Sequence, residues 1–318
     1  MLKSREAKML NREKTDRMLS APNYAEAAKL LIDCGYDDMS AMNAQGVDRV
    51  LNAKRKAIFY EIAHMSPKSE MVDAFRLKYD YHNAKVILKA EGADTSGDHL
   101  LSDSGRVSGE ELKKAHTAED FRFMPAALGR AMLEAKATLA RTGNPQLADL
   151  ALDRAYFAEM AVLAKSAESR FLENYTKTLI DAANLRSAVR VIRMGKGYDF
   201  LMSALISGGT VSSKSIAQAA TSGEGLASVF TASCLKETAV LGADAMKGGS
   251  MMKFEFICDN AVTSSLSAAK LVPFGSEPVV KYLALIELEI TAIRMILTGR
   301  LAGIDPKVIQ ERLRDINA

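Results

Sequence analysis

Residues 77–89 read LKYDYHNAKVILK and residues 178–190 read TLIDAANLRSAVR, and both stretches contain the spacing D-x-x-N-x5-[KR]. The residues that fill this spacing are Asp80, Asn83 and Lys89 in the first stretch and Asp181, Asn184 and Arg190 in the second. A sequence pattern that recurs after about one hundred residues is the signature of a repeated structural unit. The sequence therefore predicts a fold built from internal repeats.

The repetition continues downstream of both stretches. The same residue types recur at a constant offset, as Leu101, Gly105, Val107, Ser108 and Ala115 and then as Leu205, Gly209, Val211, Ser212 and Ala219. In a fainter third copy Arg294, Gly299, Arg300, Ile304 and Ile309 align, with a gap, on Arg190, Gly195, Lys196, Val211 and Ile216. A chain of 318 residues is longer than one core usually serves. We expect three helical repeats, at 1–115, 116–222 and 223–318, with the second boundary in the glycine-rich run Ser222–Gly225.

The distribution of proline and glycine favours long helices. Proline is absent from Gln146 to Val272, and glycine is absent from Gln146 to Met194. Apolar residues recur there at spacings of three and four: Leu152, Tyr156, Met160, Leu163, Ala167, Phe171, Tyr175 and Leu179. That period belongs to one face of a helix, whereas strand patterns are poor throughout. The sequence predicts an all-α fold in which this apolar face packs on a partner helix.

Helix boundaries also recur. Gly195 is typical of a helix stop, and Ser108 with Glu111 forms a capping box that Ser212 repeats as a single cap. In the third copy, Asp305 and Pro306 provide an acidic cap and a proline at the first helical position. Apolar residues stand just before each cap (Val107, Val211, Ile304) and four beyond it (Leu112, Ile216, Ile309), the spacing of a hydrophobic staple.

Charge and cysteine content exclude several classes of protein. The net charge is +3, from 42 basic and 39 acidic residues, which disfavours binding to a nucleic-acid backbone. Cys34, Cys234 and Cys258 are widely separated, so we expect three reduced thiols in a cytosolic protein, all of them small core residues. The longest apolar run, 282–297, is interrupted by charged residues, and we expect neither a transmembrane span nor a signal peptide. The basic, amphipathic N-terminus is compatible with binding to an acidic partner or a membrane surface, but we interpret it as a solvated helix face.

Two catalytic motifs are approached without being completed. Gly208 to Ser215 has the lysine of a phosphate-binding loop, Lys214, but Ser213 stands where the second glycine belongs, and no strand pattern precedes it. The first repeat aligns a helix start with this segment, so we interpret it as a helix start. Ser250 and Lys253 have the S-x-x-K spacing of serine-lysine acyl enzymes but lack the companion motifs.

Metal and acid-base sites find no support in the sequence. The histidines, His64, His82, His99 and His116, have no ligand spacing, and no cysteine pair has one either. Neighbouring carboxylates such as Glu287 and Glu289 diverge on a helix. We predict no catalytic residue, cofactor or metal. The repeated aspartate and asparagine are interpreted as a structural network with a neighbouring helix.

Several strings together resemble the C subunits of the V/A-type rotary ATPases and ATP synthases, whose equivalent in eukaryotic vacuolar ATPases is the d subunit. They are 77–83 (LKYDYHN) with 274–283 (FGSEPVVKYL), 180–185 (IDAANL) with Val189-Arg190 and Gly195-Lys196, and a closing set of Glu289-Ile290, 293–296, Gly299-Arg300, Gly303-Ile304 and 309–313. The resemblance covers nearly the whole chain. This sequence departs from it at Ala84, where many relatives have a larger aliphatic residue, and at Arg300, where lysine is usual.

This resemblance implies a funnel of three helical-bundle domains around a pseudo-threefold axis. A protein of this kind is non-catalytic. It lies peripherally on the cytoplasmic face of the membrane, as one copy in a hetero-oligomeric complex, and joins the D- and F-type central stalk subunits to the rotor ring that carries protons or sodium ions. Loops with Lys196 and Arg300 are the candidate partner contacts. The alternatives are a helical-repeat scaffold for an unrelated protein and a nucleotide enzyme that uses Lys214.

Overall fold

The computed structural model describes residues 2–222 and 225–315. Within these ranges the chain forms α-helices and short 3₁₀ segments and no β-strand, so the all-α prediction is confirmed. The helices are α1 Leu2–Glu6, α2 Arg12–Ser20, α3 Tyr24–Lys29, α4 Ala44–Met65, α5 Glu70–Gly92, α6 Gly109–Thr117, α7 Ala126–Thr142, α8 Pro145–Ser166, α9 Arg170–Arg193, α10 Tyr198–Ala204, α11 Ser213–Ser222, α12 Lys236–Met246, α13 Met251–Ser264, α14 Ser276–Leu301 and α15 Pro306–Arg312.

The predicted helix starts are confirmed. Ser108 and Glu111 form both bonds of a capping box at α6. The Ser212 hydroxyl accepts from the Ser215 N–H at 3.0 Å in the first turn of α11, and Asp305 caps α15, which has Pro306 in its first turn. These side chains take up backbone N–H groups that have no partner inside the helix, which is why each helix begins there.

The long apolar stripe between residues 152 and 179 lies on two helices instead of one. Helix α8 ends at Ser166, Glu168 adopts a positive φ of 53°, and the Ser169 side chain accepts from the Leu172 N–H to begin α9. Neither glycine nor proline marks this corner, so the sequence pattern runs through it without a break. The stripe belongs to an antiparallel pair of helices.

Three long helices, α5, α9 and α14, organise the packing. Helix α8 packs on α5, helices α12 and α13 pack on α9, and α4 packs on α14. One large apolar cluster joins the first half of the chain to α14, and a second cluster lies between residues 182 and 262. Each long helix is therefore covered by helices that come from another part of the chain.

The structure also locates the predicted repeat edges and cysteines. Residue 115 lies inside α6, and residue 222 is the last residue of α11, whereas Gly223 and Glu224 lie outside the described residues. Cys34 and Cys258 are buried, but Cys234 is exposed. The prediction that all three cysteines are core residues is therefore wrong for Cys234, which lies in a turn before α12.

Among the described residues, no helix is both long and apolar enough to cross a membrane. The longest helix, α14, buries Lys281 and Glu289 within the protein, where Lys281 pairs with Glu6 at 3.1 Å. Its apolar face meets α4 and other helices of the same chain.

Candidate functional site

The repeated aspartates tie each long helix to the loop that follows it. Asp80 on α5 accepts from the N–H groups of Arg106 and Val107, at 2.9 and 3.2 Å, and from Nε of Arg106 at 2.6 Å. Asp181 on α9 accepts from the N–H groups of Thr210 and Val211, at 3.1 and 3.2 Å, and from the Thr210 hydroxyl. Both carboxylates hold the chain just before the next capped helix, α6 or α11.

The repeated asparagines lie about one helical turn after the aspartates, and they bind the same loops. The Asn83 amide donates to the Ser102 carbonyl at 2.7 Å and accepts from the Ser102 N–H at 2.8 Å. The Asn184 amide makes the same pair of bonds with Ile206, at 2.7 and 2.8 Å. A primary amide matches the donor and acceptor of one peptide group, which gives asparagine its place in both repeats.

Burial affects the protonation of the two aspartates. It raises the pKa of Asp80, while Arg106 and the two N–H groups act against that rise. It also raises the pKa of Asp181, which has hydrogen-bond donors but no cation beside it. The two equivalent carboxylates therefore differ in their electrostatic support.

Two glycines allow the aspartates to approach the loops. A Cβ at Gly105 would overlap Oδ1 of Asp80, and a Cβ at Gly209 would overlap Oδ1 of Asp181. We expect Gly105→Ala and Gly209→Ala each to lower the free energy of unfolding by about 1–3 kcal/mol, because the added methyl group pushes the carboxylate off its donors. Chemical denaturation measures this change.

Gly92→Ala is the matched control for the two glycine variants. A Cβ there lies 3.6 Å from Leu139 Cδ2, an ordinary contact, at the end of α5. Its stability should stay the same or rise slightly, because alanine favours a helix. Loss of stability equal to that of the other two variants would contradict the proposed overlap.

The basic residue of each repeat pairs with a carboxylate on a neighbouring helix. Lys89 on α5 pairs with Asp149 on α8 at 2.6 Å, and Arg190 on α9 pairs with Glu255 on α13 at 2.5 Å. A second pair lies one turn earlier on α5 and α9, where Lys85 meets Asp153 and Arg186 meets Asp259, and on α14 Arg294 meets Asp48. These pairs connect α5 to α8, α9 to α13, and α14 to α4.

The ends of the long helices correct the alignment of Arg294. Each helix is followed by a residue with positive φ: Asp94, Gly195 and Gly303. The next N–H returns to the helix in each case, from Thr95 to Ala90, from Lys196 to Val191 and from Ile304 to Gly299. Counted from these ends, Arg294 is equivalent to Arg186 and Lys85 instead of Arg190. A four-residue shift keeps a side chain on the same helical face, so the sequence pattern does not exclude it.

The first halves of the three long helices contact one another. The rings of Phe75 on α5 and Tyr175 on α9 stack with centroids 6.3 Å apart. The Ser169 hydroxyl, at the start of α9, donates to the Ser276 hydroxyl of α14 at 2.7 Å. Tyr79 of α5 donates to Glu287 of α14. The second halves contact α8, α13 and α4 through the ion pairs instead.

Glu287 is the centre of a partly buried network that joins α4, α5 and α14. Nε of Arg55, which is only 2% exposed, lies 2.9 Å from Glu287, and Lys78 lies 3.3 Å from it. The Arg55 guanidinium also stacks over the Tyr79 ring, 4.7 Å from the centroid. Burial raises the pKa of Glu287, but Lys78 and Arg55 outweigh it, so the pKa is lowered overall.

The two candidate partner contacts have different surroundings. Lys196 is exposed after α9, with its ammonium 5.9 Å from the Phe200 ring centroid. Arg300 near the end of α14 donates to the carbonyls of Leu19 and Ala21, at the end of α2. Arg300 thus makes contacts within the chain, whereas Lys196 faces solvent.

The incomplete catalytic motifs are helix starts. Lys214 is exposed in the first turn of α11, and the preceding element is helix α10 instead of a strand. The Ser250 hydroxyl accepts from the Lys253 N–H at 3.2 Å, so the S-x-x-K spacing is the N-cap of α13. In the described ranges, no group of three His, Cys, Asp or Glu side chains could hold a metal ion.

Sequence reasoning missed Arg55, Lys85 and Arg186. Lys85 and Arg186 occupy the same position relative to the repeated aspartates, so the sequence already contained the signal for this second pair of basic residues. Arg55 gave no such signal, because its importance comes from burial against Glu287, on a helix more than two hundred residues away.

Comparisons with known proteins agree with this architecture. The profile of the family described as ATP synthase (C/AC39) subunit matches residues 1–312. The V-type sodium ATPase C subunit of Enterococcus hirae is 21% identical, over 99% of this chain and 97% of its own length. The A-type ATP synthase C subunits of Methanocaldococcus jannaschii and Haloferax volcanii are 24% and 25% identical, over 98% and 93% of this chain and 84% and 91% of their own lengths. Because the family profile spans almost the entire sequence, the chain belongs to the ATP synthase (C/AC39) subunit family.

Proposed function

We propose that this chain is the rotor adaptor of a V/A-type rotary ATPase, joining the central stalk to the membrane rotor ring and transmitting torque between them. Family membership makes it a structural member of such a complex instead of the catalytic one. The proposal names the D- and F-type stalk subunits and the ring as the partners, and the cytoplasmic side of the membrane as the location.

The observation that carries the proposal is the way the long helices are connected. Their first halves contact one another, through Phe75 with Tyr175 and Ser169 with Ser276. Their second halves are tied outward to α8, α13 and α4. Helices whose first halves contact one another and whose second halves contact other helices are compatible with a funnel of three helical units, 1–115, 116–222 and 223–318, around a pseudo-threefold axis.

The outward ties also suit a body that carries torque. Each long helix is bridged by an ion pair to a helix from another part of the chain, and the pair of Arg294 with Asp48 connects α14 to α4, near the beginning of the chain. Closely packed helices deform little, since side chains already fill the space between them. A rotor adaptor needs that stiffness.

The Lys196 loop is our candidate contact with a partner, because its ammonium is exposed at the end of a long helix. Arg300 lies in the last turn of α14 and not in a loop, and its bonds to Leu19 and Ala21 leave less of its donor capacity for a partner.

Co-purification tests the function. A tagged chain should recover the central stalk subunits and the ring from a detergent-treated lysate that contains the whole ATPase. Lys196→Glu should weaken recovery of one of them about tenfold or more, while Lys177→Glu, on an exposed part of α9, should not. Recovery of neither partner by the unchanged chain would refute the adaptor. Reproducible recovery of an unrelated protein instead would favour the scaffold.

A further inference from the structure

The third long helix has its own counterpart of the repeated aspartate. Measured from the positive-φ residue after each helix, Glu289 on α14 stands where Asp80 stands on α5 and Asp181 on α9. All three carboxylates are buried, with exposed fractions of 0%, 1% and 1% for Asp80, Asp181 and Glu289. In each case the carboxylate accepts a backbone N–H. Glu289 takes that of Leu10 at 2.6 Å, together with the Tyr36 hydroxyl at 3.1 Å.

The donor has the same local setting in all three places. Val107, Val211 and Leu10 each come immediately before the N-cap of a short helix, and those caps are Ser108 of α6, Ser212 of α11 and Asn11 of α2. Each cap side chain accepts from the N–H three residues later, at 3.2, 3.0 and 2.9 Å respectively. Glu289 thus holds the start of α2 as Asp80 holds the start of α6.

The buried faces of the short helices agree as well. The residues four, seven and eight beyond the cap are buried in every case: Leu112, Ala115 and His116 in α6, Ile216, Ala219 and Ala220 in α11, and Thr15, Met18 and Leu19 in α2. Helices α6 and α11 pack directly on α5 and α9, whereas α2 packs on α3 and α15, which both contact α14.

The chain connection differs in the third case. Helices α6 and α11 follow their long helices in sequence, whereas α2 comes from the opposite end of the chain. The segment expected to play this part, Ile304 with α15, does follow α14, but Ile304 is 44% exposed. The carboxylate that would hold such a segment binds Leu10 instead.

We propose that the N-terminal segment, residues 2–36, is the displaced third copy of this short-helix element. It acts as a clasp, because it binds along α14 although the two lie at opposite ends of the sequence. Further contacts run along α14 in the same direction. Lys281 pairs with Glu6 at 3.1 Å near its start, Glu289 holds Leu10 in its middle, and Arg300 holds Leu19 and Ala21 at its end.

The contact between the clasp and α14, which we call the seam, is therefore the place where the molecule opens first. Elsewhere the short helix is connected by a loop to the long helix that it covers, so its loss is opposed by the chain itself. At the seam, α14 is held to the N-terminal segment by side chains alone. The proposal concerns the chain by itself and does not depend on its partners.

Hydrogen exchange of the full-length protein tests the clasp. Glu289→Ala leaves the Leu10 N–H and the Tyr36 hydroxyl buried without an acceptor, so amides of residues 10–31 should exchange on the order of tenfold faster or more. Asp181→Ala is the matched control, and it should accelerate exchange in α11 but not in the N-terminal segment. Faster exchange spread equally over α9 and the N-terminal segment in Glu289→Ala would overturn the proposal.

A circular permutant provides a test that does not depend on that variant's folding. The permuted chain begins at Ala41, continues to the C-terminus, and returns through a flexible linker to residues 2–40, so that the N-terminal segment comes after α14 and α15 in the chain. The control inserts the same linker between Ser40 and Ala41 of the normal chain. We expect both proteins to fold with similar unfolding midpoints. A folded control with an unfolded permutant would show that the segment depends on its connection to α4, which contradicts the clasp.

Discussion

Glu287→Ala is expected to lower the free energy of unfolding by about 3–5 kcal/mol. The substitution removes the carboxylate that pairs with Arg55, whose guanidinium is almost fully buried between α4 and α5. A buried cation without its partner loses the Coulomb attraction but still bears the cost of its removal from water. The Tyr79 hydroxyl also loses its acceptor. Equilibrium denaturation of the purified chain measures the loss.

The control for this variant is Glu134→Ala on the exposed face of α7, for which we expect a change within about 0.5 kcal/mol. A double variant, Arg55→Met with Glu287→Leu, should recover most of the stability, because an apolar pair of similar size leaves no buried charge. A double variant as unstable as Glu287→Ala would mean that packing volume, and not charge pairing, explains the loss.

The Glu287 pair also gives a dependence on pH. The pKa of Glu287 is lowered from 4.5, so its ionised form is favoured by folding. Its contribution is therefore complete above the unfolded pKa and is lost as the pH falls through the folded pKa. The stability difference between the wild-type chain and Glu287→Gln should be constant near neutral pH and should shrink on acidification below about pH 4.5.

Asp80→Ala is expected to cost more than Asp181→Ala, although the two residues are equivalent in the repeats. Loss of Asp80 leaves two loop N–H groups without an acceptor and separates Arg106 from one of its two carboxylates, for a loss of about 3–5 kcal/mol. Loss of Asp181 strands the N–H groups and hydroxyl at Thr210 and Val211 but no charge, for about 1–3 kcal/mol.

Thermal and chemical unfolding of the two variants, beside Asp37→Ala as an exposed control, measure this difference. The comparison isolates the contribution of Arg106, because the loop bonds are otherwise the same. Equal losses in Asp80→Ala and Asp181→Ala would mean that the Arg106 pair adds nothing to stability, contrary to its burial between Asp80 and Glu159.

Local features were predicted well because they depend on neighbouring residues. The caps at Ser108, Ser212 and Asp305 need only a side chain within three residues of its backbone partner, and the sequence displays that spacing directly. The corner at Glu168 was not predicted, since its left-handed backbone conformation is imposed by the packing of α8 and α9 and not by a glycine.

The candidate site was likewise predicted only in part. The sequence identified Asp80, Asn83, Asp181 and Asn184 as a repeated set, but not the backbone groups that they bind, 19 to 30 residues downstream. In the sequence, Glu289 appeared as a neighbour of Glu287 and in one string of the family resemblance, but not as a member of the repeated set. Its equivalence to the repeated aspartates became visible from the end of α14, because glutamate had replaced aspartate and the partner had moved to the other end of the chain.

By itself, the sequence determined the all-α class, the helix starts and the internal repetition, because periodicity and capping are written in contiguous residues. Only the tertiary structure decided which long helix each segment covers and that residues 2–36 lie along α14. The physical reason is that an apolar stripe specifies which face of a helix is buried but not which helix buries it. That choice is made by buried pairs such as Leu10 with Glu289 and Arg55 with Glu287, whose members are hundreds of residues apart in the sequence.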